Sequence, residues 1–192
     1  MEELIMNEDT VNNPEMKEKN FGKSKQEVEQ EIIEYISANF LCVLATSHDN
    51  IIKATPVGYR NEGLTLFISC DSQNGQKVKD VLANPNVAVS RFLDYKEKNF
   101  GWNSTVGFSL RGKAEVITLK NNEAAFMDHV EKKGTRKGFE KYGIDKMIRD
   151  FGENYEEVLF NRMCALKIEP EEIHFMNTAK QWMYFLHWSK ND

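Results

Sequence analysis

Residues Leu41 to Pro85 read LCVLATSHDNIIKATPVGYRNEGLTLFISCDSQNGQKVKDVLANP, and the punctuation of this stretch decides the fold. Leu41–Thr46 is a continuous apolar run of strand length. Ser47-His48-Asp49-Asn50 is turn chemistry. Ile51–Tyr59 resumes as a strand, with Pro56 inside it. Proline brings no ladder donor, so this strand belongs at an edge, at a bulge, or where something other than a strand approaches. Asn61-Glu62-Gly63 turns the chain again, and Leu64–Ser69 alternates as a third strand. Three strands on short turns predict an antiparallel meander. Asp71–Gln76 then breaks the pattern with Ser, Asn and Gly, and a helix follows with Val78, Val81 and Leu82 on one face. Asn84-Pro85 stops it. A polar, Gly-containing step into a helix that carries Lys77 can hold a phosphate.

Working outward, Ser24-Lys25-Gln26-Glu27 has the spacing of a capping box. Val28, Ile32, Tyr35 and Ile36 recur behind it at helical spacing, a face suited to covering the opening of a barrel. Residues 1–22 are polar and aperiodic and read as a flexible arm, with residues 23–192 as a single domain. Downstream, Asn86–Leu93 predicts a fourth strand and Thr105–Thr118 a long fifth, with a bulge or bend at Gly112. Helices are expected up to Lys132 and around Ile144–Phe151. Met163–Ile168 predicts a strand, Glu169-Pro170-Glu171-Glu172 a tight turn, and Ile173–Met176 a return to extended chain. Short strands with interspersed helices make a small, mainly β barrel decorated by helices.

Composition narrows the function classes. The 192 residues are 41% hydrophobic and 29% charged, enough for one ordinary core. The net charge of −5 argues against a duplex-binding footprint, so no nucleic-acid partner is expected. No apolar run approaches membrane-spanning length, and the first residues lack the pattern of a secretory leader. Cys42, Cys70 and Cys164 are scattered and odd in number, which is no disulfide framework. The expected compartment is the cytoplasm. His48, His129, His174 and His187 show no metal-ligand spacing, so no metal site is expected.

The ordered pieces carry a resemblance. They are L-A-T closing the first strand, K-A-T-P-V in the second, G-L-T-L-F-I-S in the third and G-Q-K opening the helix. A-N-P-N-V-A-V, R-G-K-A-E-V and P-E-E-I-H-F follow in that order. From about residue 24 to about residue 177 the chain resembles the pyridoxamine 5′-phosphate oxidase-like, FMN-binding split-barrel family. The resemblance implies a six-stranded Greek-key split barrel and a homodimer with FMN at the subunit interface. It implies that Lys53 and Lys77 hold the FMN phosphate, although solvated surface positions are the ordinary place for lysine. Gln76 stands where the family often has arginine. The isoalloxazine ring would lie along Thr55-Pro56-Val57 and Ile68-Ser69-Cys70. Ser69 and Asp71 would stand near the ribityl chain or the phosphate, and Trp182 of a partner chain would flank the flavin.

One departure matters. True pyridoxamine-phosphate oxidases close with an Arg-x-His pair and a further Arg after the last strand. Here the stretch reads Gln181-Trp182-Met183-Tyr184-Phe185-Leu186, which argues against vitamin B6 oxidation. The expectation is an FMN-dependent oxidoreductase, an NAD(P)H-linked reductase of a small organic acceptor, with no catalytic acid or base identified. The alternatives are a flavin-binding or stress-response protein without turnover, and a related barrel using F420 or haem.

Overall fold

The computed structural model describes residues 20–72, 75–92, 105–180 and 184–192. Residues 1–19 of the expected arm lie outside the described residues, as does Trp182. Helix α1 (Lys25–Ser37) opens with the expected capping box: Ser24 N donates to Glu27 Oε2 and Glu27 N donates to Ser24 Oγ. Two hairpins follow, β1 (Leu41–His48) with β2 (Ile51–Gly58), and β3 (Arg60–Glu62) with β4 (Thr65–Asp71). Asp49 and Asn50 both take positive φ, the two-residue connection that suits strand twist. Then come α2 (Gln76–Ala83), β5 (Asn86–Phe92) and β6 (Val106–Ile117). Four short helices follow, α3 (Glu123–Lys133), α4 (Thr135–Tyr142), α5 (Ile144–Phe151) and α6 (Tyr155–Arg162). The long β7 (Met163–Asn177) and the short β8 (Phe185–Ser189) close the chain.

Every pairing is antiparallel, and the sheet runs β2-β1-β5-β6-β7-β4-β3 with β8 on β7. It curls into a half-barrel, as the split-barrel expectation requires, with eight strands among the described residues rather than six. The two extra strands have identifiable causes. Beyond Tyr59 the chain leaves β1 and crosses to the other end of the sheet, so β3 pairs with β4 and not with β1. The expected meander is therefore two separate hairpins. The aromatic closing segment supplies β8.

The expected turn at Glu169–Glu172 is instead the middle of β7. Pro170 pairs opposite Gly112 where the register shifts; the extra residue is Glu171, so the irregularity expected on β6 is a bulge of its partner β7. A Cβ at Gly112 would strike the Glu169 carbonyl, which is why glycine stands at this bulge.

The period-two pattern of β1 sends Cys42, Leu44 and Thr46 inward and leaves Leu41 and Val43 exposed. The continuous apolar run is thus buried on one face only. Val28, Ile32 and Ile36 of α1 are fully buried against the inner face, with Leu44, Leu66, Ile168, Ile173 and Phe175. Each such aliphatic side chain contributes about 1.5–3 kcal/mol by leaving water. A second cluster, Ile117, Phe126, Val130, Phe160 and Ala165, seats α3 and α6 on the outer face of β6 and β7. The last residues of the expected arm are tied down: Asn20 Nδ2 donates to His187 O, His187 N donates back to Asn20 Oδ1, and Phe21 stacks on Tyr184.

Candidate functional site

β4 delivers residues to two faces. Ile68 and Cys70 enter the core, whereas Ser69 and Asp71 face outward. Beyond Asp71 the chain turns sharply, with Gly75 N donating to Asp71 O at 3.2 Å. A Cβ on Gly75 would stand 2.5 Å from that carbonyl, so only glycine makes the approach. Gly75 also brings no capping side chain to α2. Val78 N and Lys79 N both turn back to Gly75 O, and a helix N-terminus favours an anion.

Lys77, in that first turn, lines a pocket of about 430 Å³. Ser69, Cys70 and Asp71 line it from the end of β4, Phe151 from α5, Leu159 and Arg162 from α6, and Met163 from the start of β7. Its size falls within the roughly 300–1,000 Å³ of ordinary ligand sites. Arg162 was not legible as a site residue, because α6 itself carried no clear helical signal. Its guanidinium lies 3.7 Å from the Asp71 carboxylate and offsets that negative charge at the pocket wall. Its carbonyl accepts from Ser72 N at 2.7 Å and Ser72 Oγ at 2.9 Å, fixing the end of α6 to the turn before α2.

A buried polar chain stands behind Ser69. Arg60 Nε donates to His129 Nδ1 at 3.1 Å, and His129 Nε2 meets Ser69 Oγ at 2.7 Å. Arginine has only donors, so Nδ1 must be the unprotonated nitrogen. The neutral ring then carries its proton on Nε2 and donates it to Ser69. The Ser69 hydroxyl proton is left to point elsewhere, and Ser69 lines the pocket. Burial, then the charges of Arg60 and Lys133, push His129 down to about 4, which keeps it neutral near pH 7. Phe67 stacks on the ring, and the Arg60 guanidinium lies 4.0 Å over Phe67. Cys70 and Cys164 are directly opposed across β4 and β7. The Cys70 thiol is held below its usual range by its hydrogen bond with Cys164, with the charges of Lys77 and Lys133 adding to the effect.

The structure places the remaining expected residues elsewhere. Lys53 does not line the pocket; its Nζ lies 3.7 Å from Asp80 of α2. Asp80 is 1% exposed and accepts from Thr46 Oγ1 at 2.9 Å and from Gln76 Nε2 at 2.8 Å. The Gln76 hydrogen bond is the main cause that holds the Asp80 carboxyl below its usual range. Lys53 and Gln76 are thus drawn to a buried carboxylate. Pro56 is opposite Val43 on β2, which pairs only with β1 among the described residues. The edge position expected for that proline holds. Thr55 and Val57 are half-buried on the inner face, opposite Leu44 and Cys42. A larger opening of about 750 Å³ runs along α1. There Glu31 already binds Lys23, Lys180 and Tyr184, so the polar groups are mutually satisfied.

The sequence matches the family described as pyridoxamine 5′-phosphate oxidase over residues 28–177. The chain belongs to the pyridoxamine 5′-phosphate oxidase-like family. Among proteins of curated function, none matches the sequence. Solved structures of low sequence identity share the fold. ChuZ of Campylobacter jejuni superposes with a TM-score of 0.61 at 13% identity, over 88% of this chain and 62% of its own. A haem-binding protein of Mycobacterium smegmatis gives 0.57 at 14% identity, over 87% of this chain and 58% of its own. An FAD-binding protein of Mesorhizobium loti gives 0.50 at 16% identity, over 75% and 88%. No helix is long and apolar enough to cross a membrane among the described residues.

Proposed function

We propose that this member of the family binds FMN without a covalent link and serves as an NAD(P)H-linked reductase of a small organic acceptor. The observation that carries the binding is the pocket where Ser69, Arg162 and Lys77, in the first turn of α2, converge. Two cations and a hydroxyl donor beside a helix N-terminus match a phosphate dianion. In this reading Thr55, Pro56 and Val57 on the open edge of β2, with Ile68 and Cys70 on β4, wall the ring. Asp71, offset by Arg162, accepts from ribityl hydroxyls. Lys53 contributes long-range positive charge beside α2, tempered by Asp80.

When bound, the flavin supplies hydride chemistry. The chain's own residues bind and orient. Lys77 and Arg162 neutralise the phosphate, His129 holds Ser69 as a donor, and Phe151, Leu159 and Met163 exclude water from one wall. A second copy of the chain completes the reading. Phe40, Leu41, Val43, Ile52 and Phe92 are exposed on or beside the outer face of β1, β2 and β5, and Ile52 is 76% exposed. An apolar face of this kind suits a homodimer. Cytoplasmic residence accords with free thiols at all three cysteines.

The visible spectrum of the purified protein, with mass identification of what it carries, tests the proposal. Flavin absorbance, or uptake of added FMN, supports it, and anaerobic bleaching by NADH or NADPH supports turnover. A protein that is colourless and takes up no FMN at micromolar concentration overturns it. A Soret band would instead favour haem, the reading suggested by the Mycobacterium smegmatis neighbour.

A further inference from the structure

Residues two apart on a strand share a face, and directly opposed residues of an antiparallel pair stand together. Glu172 and His174 are two apart on β7, and His187 of β8 is registered opposite His174. The sheet thus gathers three ligating side chains that lie up to fifteen positions apart in the chain. His187 Nε2 is 3.0 Å from Glu172 Oε1, and His174 Nε2 is 3.4 Å from the same oxygen. One ligand atom from each residue can be chosen so that all lie within 4.8 Å of one another.

We propose that Glu172, His174 and His187 bind one divalent transition-metal ion of the zinc class. Nitrogen and oxygen donors about 2.0–2.1 Å from such an ion stand roughly 2.9–3.4 Å apart in octahedral or tetrahedral geometry. The carboxylate–imidazole separations already have that spacing. Imidazole with carboxylate suits zinc, nickel, cobalt or copper(II) over calcium or magnesium. The surroundings orient the set. Arg111 Nη2 holds the other carboxylate oxygen, Oε2, at 2.9 Å, leaving Oε1 for the ion. Asp192 Oδ2 lies 3.9 Å from His187 Nδ1, the ring nitrogen that faces away from Glu172. All three side chains reach solvent, so an ion has a path in, and a fourth position remains for water. Among the described residues β8 pairs only with β7. An ion bridging His174 and His187 would clip this closing strand to the sheet. The site shares no residue with the pocket beside α2, so it stands or falls independently of flavin binding.

The competing account is a metal-free network in which both imidazoles donate to Glu172. Zinc titration of the full-length protein by equilibrium dialysis separates the two, with His174→Ala and His187→Ala as variants. The expected result is one zinc per chain in the wild type, weakened roughly tenfold or more in each variant. Zinc should raise the melting temperature of the wild type and leave both variants unmoved. Should a variant misfold, the wild type alone decides: the imidazole resonances of His174 and His187 should shift on adding zinc. No uptake at micromolar zinc, undiminished uptake in the double variant, or unshifted resonances would each overturn the proposal.

Discussion

Acid should destabilise this protein through His129 before most carboxylates are protonated. The ring is 1% exposed, accepts from Arg60 and meets Ser69. Its folded value is pushed from 6.5 to about 4. Because the folded value is depressed, the unfolded chain binds the proton more readily. The contribution is therefore complete above about pH 6.5, falls with pH through the window between, and is lost by about pH 4. About 2.5 units at roughly 1.4 kcal/mol each gives ~3 kcal/mol, a large part of ordinary domain stability. Urea unfolding of the wild type and of His129→Gln, at a series of pH values from about 7.5 to 4, reads this directly. Glutamine does not titrate, and the other groups cancel in the difference. The variant should begin less stable and close on the wild type by ~3 kcal/mol across the window. A difference that stays flat with pH would refute the buried, neutral assignment.

Other perturbations test the remaining parts. Lys77→Ala should weaken FMN binding by roughly tenfold or more, since it removes a charge-assisted contact of about 1.5–3 kcal/mol. Lys53→Ala should cost less in the same fluorescence titration, because Lys53 is already directed to Asp80; equal losses would contradict the placement. Gly75→Ala drives a methyl into the Asp71 carbonyl and should cost about 1–3 kcal/mol in urea unfolding. Val43→Glu puts a charge in the middle of the exposed apolar face and should yield monomers in sedimentation. An unchanged sedimentation coefficient would count against the dimer surface.

How much of this was legible beforehand varied with the physics. The capping box at Ser24 and the edge strand at Pro56 follow from local backbone chemistry, and each reads directly; the irregularity at Gly112 reads in place, but its extra residue, Glu171, lies on the partner strand. The pairing of β3 does not, because nothing in Arg60–Glu62 states which strand it will join. The same limit hid two clusters. Ser69, His129 and Arg60 belong to three elements, and only the folded sheet brings them into hydrogen-bonding reach. His174 and His187 have no ligand spacing along the chain and acquire it from cross-strand register. Pro170 misled in the opposite sense. Pro between acidic residues signals a turn, yet Pro170 lies within β7, next to the bulged residue Glu171. Lys53 stands at the expected position in the chain, yet the carboxylate that claims it, Asp80, sits on a helix face that reads as ordinary solvent surface.

The order of strands has a consequence for how the chain folds. β2 and β3 are separated by one residue, Tyr59, yet lie at opposite ends of the hydrogen-bonded path. The β3–β4 hairpin is complete by residue 71, but its partner in the sheet, β7, begins at Met163. During synthesis the two early hairpins must therefore wait, joined only by Tyr59, until nearly the whole chain has emerged. Pairing across such a separation carries a large loop-closure cost and slows folding. β7 acts as a keystone: any truncation that removes it leaves the pocket-lining end of β4 without a strand partner among the described residues.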